Sequence, residues 1–244
     1  MNPRAESYRQ KILDHYNTAV ASLDCPIFGC FLHGSQNYQL DDEFSDVDTR
    51  CFYIGELNKA VTAQYPASGG QTIFTSLARW LKKLSRGSFT QTDLEYFTTD
   101  YVIINPVYKE EWQTLQEMKT ELFSIGYNPC ATSVKNNYLS DYHFLTKQRY
   151  RPKTASHFYR EEAMLEGLQE HLPLEDILKL KMLSAQHRNY LIDIKRGKVS
   201  CEKDIKKLDF NVNFEEPPQE KLLELKNKIN ALCIRIENKT KEIR

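Results

Sequence analysis

The sequence predicts an α+β (or α/β) N-terminal part followed by an all-helical C-terminal part. In the first part, short apolar runs that suit strands alternate with apolar spacings that are typical of helices. From Ser133 onward, nearly all of the chain has helical spacing. A length of 244 residues allows one large domain or two small ones. We therefore expect a mixed domain at residues 1–130 and a helical domain at residues 131–244.

Apolar spacing predicts the elements of the mixed domain in order. A helix is expected at residues 6–23, where every fourth position of one stripe is Tyr8, Ile12, Tyr16 and Val20. Strands are expected at residues 27–32, 48–54, 72–75 and 101–104, each a short apolar run. A second helix begins near Leu77 and ends at Gly87, and a third covers residues 109–123. Their apolar stripes contain Trp80 and Trp112, which we expect in the core.

The helical domain has two clear segments. Pro173 precedes an apolar helical pattern, in agreement with the preference of proline for the first turn of a helix. Near the C-terminus, the three-four spacing of a packed helix or short coiled coil is formed by Leu222, Leu225, Ile229, Leu232 and Ile236.

Composition argues against several classes of protein. The formal net charge is zero, so no global field attracts nucleic acid or membrane, although a local basic patch still could. The six cysteines have no metal-binding spacing, and we expect reduced thiols in a cytoplasmic protein. The polar N-terminus does not match a secretory signal, and no apolar run approaches the ~20 residues of a membrane span. We therefore expect no membrane partner.

Two carboxylates stand at the start of the second predicted strand. Because side chains alternate along a strand, Asp46 and Asp48 should project from one face and Val47 from the other. Two buried carboxylates repel each other, and a divalent cation relieves that repulsion. Mg²⁺ (or Mn²⁺) suits the pair, since Mg²⁺ binds one or two carboxylates together with water and substrate phosphate oxygens. The alternative is an ordinary Asp-x-Asp near a loop, which needs no metal.

A Gly-Ser step follows the first predicted strand. The backbone amides and the hydroxyl at Gly34 and Ser35 can bind phosphate, whereas a plain turn glycine is the simpler alternative. A phosphate-binding turn beside a carboxylate pair is the combination that phosphoryl-transfer chemistry uses.

These residues carry a family resemblance. The pattern HGSQNYQL…SDVD, residues 33–40 and 45–48, resembles the DNA polymerase β-type nucleotidyltransferases, whose signature is an apolar strand, Gly-Ser and then Asp-x-Asp on the next strand. More narrowly, the chain resembles the RlaP (YcgL-like) nucleotidyltransferases, which are named for their association with RNA ligases. The narrower resemblance covers about residues 25–200 and rests on three further stretches: SLARWLKKLSRGSFTQTDLEYF, KTASHFYR and LIDIKRGKVS.

The resemblance implies a fold and a set of roles. The fold is a polymerase β-like mixed sheet with flanking helices, followed by the helical domain. Asp46 and Asp48 would be catalytic and would hold Mg²⁺, while a nucleoside triphosphate would be bound by Gly34, Ser35 and Ser45. A hydroxyl acceptor would attack the α-phosphorus and release pyrophosphate.

The sequence departs from this family pattern at one position. The family has a third carboxylate on a later strand, and alignment on Leu77 places that position near Gln71, which is neutral. Of the later acids Asp93 and Glu95, Glu95 is the candidate replacement. Otherwise the catalytic activity is weakened or absent.

A basic stretch at residues 143–160 is the second candidate binding region. Lys153, His157 and Arg160 recur at i, i+4 and i+7, so on a helix they share one face that can contact an anion. Aromatic residues between the cations could stack on bases, and the stretch could equally be a solvated linker. Lys195, Arg196 and Lys198 are interpreted mainly as cations at a helix C-terminus.

Three functional hypotheses follow. The first is a metal-dependent nucleotidyltransferase that acts on a hydroxyl acceptor, for instance an RNA end in RNA repair or modification. The second is a catalytically degenerate member of this fold that binds a nucleotide or a partner protein, which Gln71 favours. The third is a nucleotidyltransferase that modifies a protein or small molecule. A glycosyltransferase is less favoured, because its Asp-x-Asp normally follows a longer nucleotide-binding half.

Overall fold

The computed structural model describes residues 3–55, 62–65 and 70–243. Five strands form one mixed sheet in the described part: β1 (Ile27–His33), β2 (Asp48–Tyr53), β3 (Thr62–Tyr65), β4 (Gly70–Ser76) and β5 (Val102–Ile104). Their order is β3-β4-β2-β1-β5. Only the β2–β4 pair is parallel among these strands, and the other three pairs are antiparallel.

Nine α-helices accompany the sheet in the described ranges. They are α1 (Pro3–Ser22), α2 (Leu77–Leu84), α3 (Gln91–Glu95), α4 (Lys109–Glu117), α5 (Lys119–Lys147), α6 (Pro152–Gln169), α7 (Leu174–Leu178), α8 (Ala185–Lys195) and α9 (Gln219–Glu242). None of these helices combines the length and the apolar character that crossing a membrane requires. No disulfide joins the six cysteines, all of which lie in described ranges.

The sheet separates two apolar clusters. Helix α1 packs on β1, β2 and β5 over the smaller cluster, to which Cys30, Leu32 and Cys51 contribute. The larger cluster lies on the opposite face, where Phe31 contacts Trp112 of α4 and Phe52 contacts Trp80 of α2. This alternation along β1 and β2 is the consequence of the strand period of two. The fold is therefore α+β, as the sequence predicts.

Most predicted elements are confirmed with small shifts in their ends, and Trp80 and Trp112 pack in the larger core. Val20 is an exception, since it is 49% exposed, and the buried stripe of α1 instead contains Tyr8, Ile12, His15 and Ala19. Strand β3 had no apolar signal and was not predicted. The predicted helix at residues 109–123 is divided at Met118 between α4 and α5.

The domain boundary expected near residue 130 lies inside a continuous helix. Helix α5 runs from Lys119 to Lys147 with Pro129 in its interior. Cys130, Ala131 and Val134 of this helix are buried in the same apolar cluster as Phe31 of the sheet. The helical half therefore shares one apolar core with the sheet, and α5 joins it through contacts with α3 and α4. It also contains a long non-helical segment, since residues 196–218 hold only a 3₁₀ turn at Glu202–Asp204.

Candidate functional site

A cavity of about 450 Å³ lies on the helical face of the sheet, where β1 ends and β2 and β4 begin. Side chains from the sheet, from the loop before β2 and from α3, α5, α6 and α8 line it. Every residue that the sequence predicts as a site residue is in this lining: Gly34, Ser35, Ser45, Asp46, Asp48, Gln71, Glu95, Lys153, His157 and Arg160. The fold thus brings together residues that are up to 126 positions apart, from Gly34 to Arg160 (160 − 34).

The two aspartates enter the cavity because the intervening valine is anchored on the other face of the sheet. Val47 is fully buried in the cluster under α1, while Asp46 and Asp48 line the cavity. Gly70, the first residue of β4, lies against Val47 so closely that an added Cβ would be 2.1 Å from the Val47 carbonyl oxygen. Glycine at residue 70 therefore lets β4 pack against the backbone that places the aspartates.

The Gly-Ser step forms a tight turn directly beside Asp48. Gly34 has a φ of 93° and leads into a 3₁₀ turn at Ser35–Tyr38. A Cβ at this position would lie 3.5 Å from Asp48 Oδ2, so backbone and carboxylate are close neighbours. The Gln36 side-chain amide donates to the Asp46 carbonyl, and Asn37 Nδ2 donates to the Leu32 carbonyl at 2.9 Å. The first bond holds the turn against the loop that carries Asp46, and the second holds it against the end of β1.

Asp48 is in an environment that disfavours its charge. Burial raises the pKa of Asp48, and the nearby Asp46 carboxylate raises it further. The Gln71 backbone N–H, which donates to Asp48 Oδ1 at 3.2 Å, and the ammonium groups of Lys153 and Lys195 act in the opposite direction. A carboxylate whose charge is incompletely compensated by the protein has capacity for a cation.

The later acids do not complete a three-carboxylate cluster. Glu95 is fully buried, accepts a hydrogen bond from the Tyr38 hydroxyl, and has its pKa raised to about 8 by burial, opposed by Arg160. Asp93 is occupied by Lys83 at 3.0 Å and by the backbone N–H of Thr90 at 2.9 Å. Across the described ranges, no group of three or more His, Cys, Asp or Glu side chains is placed to hold a metal ion. Glu95 therefore lines the cavity but does not form a three-carboxylate group with Asp46 and Asp48.

One face of α6 forms a cationic wall of the cavity. Lys153, His157 and Arg160 all line it, as their spacing predicts. The Arg160 guanidinium lies 4.8 Å from the centre of the Tyr38 ring, and its Nη2 contacts Glu161 Oε1 at 3.0 Å. Burial, with help from Arg160, Lys153 and Lys195, lowers the pKa of His157 to about 3. The imidazole is therefore neutral at pH 7, and the wall's charge comes from lysine and arginine.

The rest of the basic stretch lies outside this cavity. Lys147, Arg149 and Arg151 are exposed and are not part of the lining. Phe158 is buried and stacks on Tyr138 at 4.7 Å between ring centres, while Phe144 is covered by the Arg151 guanidinium at 4.9 Å. The expectation that aromatics of this stretch stack on bases therefore fails for Phe158, because the helical core already uses its ring.

The end of helix α8 contributes cations that the sequence pattern indicated mainly as helix-terminal charges. Lys195 and Arg196 line the cavity, and Arg196 pairs through two nitrogens with the Asp42 carboxylate in the loop before β2. Phe44 in the same loop is 72% exposed, and the Arg196 guanidinium lies 5.5 Å from its ring centre. The stretch LIDIKRGKVS was the available signal for these cations. Tyr38, Gln91 and Asn137 also line the cavity. Tyr38 and Gln91 lie in the stretches HGSQNYQL and SLARWLKKLSRGSFTQTDLEYF, although the sequence did not single them out, and no sequence signal pointed to Asn137.

Comparison with known proteins returns no relative. Neither the models of known protein families nor the curated proteins include a match to this chain. The site is therefore interpreted from its own geometry and chemistry.

Proposed function

We propose that the chain is a metal-dependent nucleotidyltransferase with a polymerase β-like fold, which transfers a nucleoside monophosphate from a nucleoside triphosphate to a hydroxyl acceptor. The observation that carries this proposal is a single cavity in which Asp46 and Asp48 stand beside the Gly34–Ser35 turn and share the space with four cationic side chains. The cations are Lys153, Arg160, Lys195 and Arg196. Carboxylates and cations in one cavity suit a ligand that brings both a divalent ion and phosphates.

The carboxylate pair fits a Mg²⁺ or Mn²⁺ ion. Asp46 is exposed, and Asp48 is half-buried with a raised pKa. The cations of the protein therefore do not fully neutralise the pair, and a divalent ion can bind to both carboxylates. Two carboxylates suffice for Mg²⁺ when water and phosphate oxygens supply its other ligands. When bound, the ion would supply positive charge to the phosphates of the nucleotide.

The protein's own groups account for binding and orientation of the triphosphate. Lys153 and Arg160 line the cavity from α6, and Lys195 lines it from the end of α8. A bound triphosphate would therefore accept hydrogen bonds from cationic side chains of two helices. The Gly34–Ser35 turn, which lines the same cavity, would supply further backbone donors to the phosphates. Attack by the acceptor oxygen on the α-phosphorus forms one P–O bond, breaks the bond to the β-phosphate oxygen, and releases pyrophosphate and a proton.

An RNA end is the acceptor that the surface favours. Lys147, Arg149 and Arg151 are exposed and directly precede α6, the helix that forms the cationic wall, so a polyanion that extends from the cavity past the start of α6 would meet further positive charge. A protein or small-molecule hydroxyl remains the alternative acceptor, and it would make no use of these cations.

A second candidate function is nucleotide binding without transfer. The observation that favours it is Gln71, which lies in the cavity at the position where the family resemblance implies a third carboxylate. Glu95 does not supply that third carboxylate, since it is buried and accepts a hydrogen bond from the Tyr38 hydroxyl. In this case the cavity would hold the metal-bound nucleotide as a ligand.

One experiment separates the two functions. The protein is incubated with Mg²⁺ or Mn²⁺ and each α-labelled nucleoside triphosphate, with and without RNA. Transfer of label that is lost in Asp46→Ala and Asp48→Ala, but kept in the exposed loop control Glu43→Ala, supports the transferase. Tight nucleotide binding without transfer to any acceptor supports the second function, and absence of both binding and transfer contradicts the two proposals together.

A further inference from the structure

Gln91 is a buried amide in the wall of the cavity. It is the first residue of α3, lines the cavity, and is only 3% exposed. Its Oε1 is buried and accepts no hydrogen bond from the part of the chain that the structure describes. Because a buried polar atom without a partner costs free energy, such an atom in a ligand cavity indicates a donor on the ligand.

The side chains that line the cavity near Gln91 in the chain and on the adjoining helix are largely uncharged. Helix α3 packs on α5, α5 packs on α6, and α6 packs on α8; Thr92 of α3 and Asn137 of α5 also line the cavity. Glu95, one turn further along α3, has its pKa raised to about 8 by burial, and Arg160 of α6 opposes that shift. The other three cations of the cavity lie on α6 and at the end of α8. A nucleotide whose phosphates contact these three cations would extend its uncharged part toward α3.

We propose that Gln91 reads the nucleobase of the bound triphosphate and that this base is adenine. The inference rests on the proposed function, since it takes the cavity to be a nucleotide site. An amide presents one acceptor and one donor side by side, and glutamine pairs in this bidentate manner with adenine N6 and N7. The exocyclic amine of adenine supplies the donor that Gln91 Oε1 lacks, and a ring nitrogen of adenine accepts from Nε2.

The test compares the four Mg²⁺-nucleoside triphosphates with inorganic tripolyphosphate by calorimetry, in the wild type and in Gln91→Leu. Leucine has a similar volume and can neither donate nor accept. We expect the wild type to bind ATP at least about tenfold more tightly than the other three nucleotides, the discrimination typical of one bidentate pair. In Gln91→Leu this preference should be lost, while the affinity for tripolyphosphate stays unchanged.

The outcomes show whether the role of Gln91 fails alone or the proposed nucleotide-binding function fails with it. A wild type that binds tripolyphosphate and all four nucleotides equally, or that prefers another base, contradicts the role of Gln91 and leaves the phosphate site intact. An ATP preference that survives in Gln91→Leu contradicts it as well. A wild type that binds neither nucleotides nor tripolyphosphate contradicts the proposed function itself. Gln113→Leu, the same substitution at an exposed glutamine of α4 outside the cavity lining, is the control variant, and it should retain the ATP preference.

Discussion

Gln71 donates its backbone N–H to the Asp48 carboxylate at 3.2 Å, across the parallel pair formed by β2 and β4. The two residues stand next to each other at the start of their strands, and both line the cavity. A neutral amide therefore occupies the position at which a third carboxylate could share a metal ion with Asp46 and Asp48. Because residue 71 lies beside Asp48, a carboxylate introduced at this position would be a third acidic side chain at the site.

Gln71→Glu should strengthen divalent-ion binding. A third carboxylate beside Asp48 adds an anionic ligand, and ligand charge is a main determinant of the affinity of carboxylate sites for cations. We expect Mg²⁺ to bind about tenfold more tightly by calorimetry, with any nucleotidyl transfer raised in parallel. Gln71→Met, of similar volume and without charge, should leave Mg²⁺ affinity unchanged. Equal affinity in the two variants would show that residue 71 does not reach the ion.

Asp48→Asn should separate function from stability. Burial and the Asp46 carboxylate raise the pKa of Asp48, which means that the folded protein holds this charge at a cost. The amide removes that cost, so we expect an unchanged or slightly higher Tm. Mg²⁺-dependent transfer or binding should fall by at least about 100-fold, because the ion loses a ligand. Glu43→Gln, in the exposed part of the same loop, should change neither quantity, and a marked fall in Tm for Asp48→Asn would contradict the argument.

Glu95 should make the protein less stable as the pH rises. Its pKa is raised from 4.5 to about 8, so between these values the folded state keeps a proton that the unfolded state has lost. The free energy of unfolding should therefore fall with pH in this window, by at most about 1.4 kcal/mol per pH unit for one proton. Urea denaturation at pH 5 to 8 measures the slope.

The matched variant for this slope is Glu95→Gln, which keeps an acceptor for the Tyr38 hydroxyl but does not titrate. Glu161, whose pKa burial raises to about 7, contributes a slope of the same sign in both proteins. His157, whose pKa is lowered to about 3, contributes the opposite sign in both. The difference between wild type and Glu95→Gln thus isolates Glu95. Parallel curves would show that Glu95 is ionised in the folded protein at neutral pH.

Local sequence patterns predicted β1 most clearly, because this strand is buried on both faces. The continuous apolar run at residues 27–32 follows directly from that burial. Strands β2 and β4 are buried mainly at alternate positions and have shorter apolar runs. Strand β3 has no such run. It lies at the edge of the sheet and pairs only with β4 among the described strands, so its position depends on that pairing and not on a local apolar pattern. Val20 was misassigned because a strict four-residue spacing drifts around the helix, whose period is 3.6, and Ala19 takes the buried position.

Some residues of the candidate site can be predicted from local sequence, whereas others come together only through long-range contacts. Gly34, Asp46 and Asp48 are close in sequence, and strand alternation alone places the aspartates on one face. The pairing of Arg196 with Asp42 joins residues 154 positions apart, and no local pattern specifies it. Glu95 was a candidate ligand by its residue type, but burial against Tyr38 removes it from that role, and burial is a property of the folded chain. Local motifs thus identified the two aspartates that line the cavity, and tertiary packing determines which side chains surround them.

Lys153→Ala should weaken binding of the triphosphate. Its ammonium group lines the cavity on α6, and a hydrogen bond to a charged group contributes about 1.5–3 kcal/mol. We expect the affinity for Mg²⁺-nucleotide or tripolyphosphate to fall about tenfold or more, with a weaker dependence on salt. Lys147→Ala removes a lysine from the same basic stretch outside the cavity and should leave tripolyphosphate affinity unchanged. An equal loss in both variants would point to general attraction by the basic stretch.

Arg196 should hold the loop before β2 over the cavity through Asp42. The guanidinium lowers the pKa of Asp42 through a hydrogen bond, so in Arg196→Ala the pKa of that carboxyl should return toward its ordinary value, which NMR titration of the side-chain carboxyl carbon measures. Because the folded-state pKa is depressed, the stabilisation is present at neutral pH and is lost as the pH falls.

A double-mutant cycle with Arg196→Ala and Asp42→Ala should give a coupling of up to about 1 kcal/mol in urea denaturation, decreasing with salt. Nucleotide affinity should fall in both single variants, since each releases the loop that carries Ser45 and Asp46. Additive effects on stability and an unchanged carboxyl titration would show that the two side chains do not interact in solution.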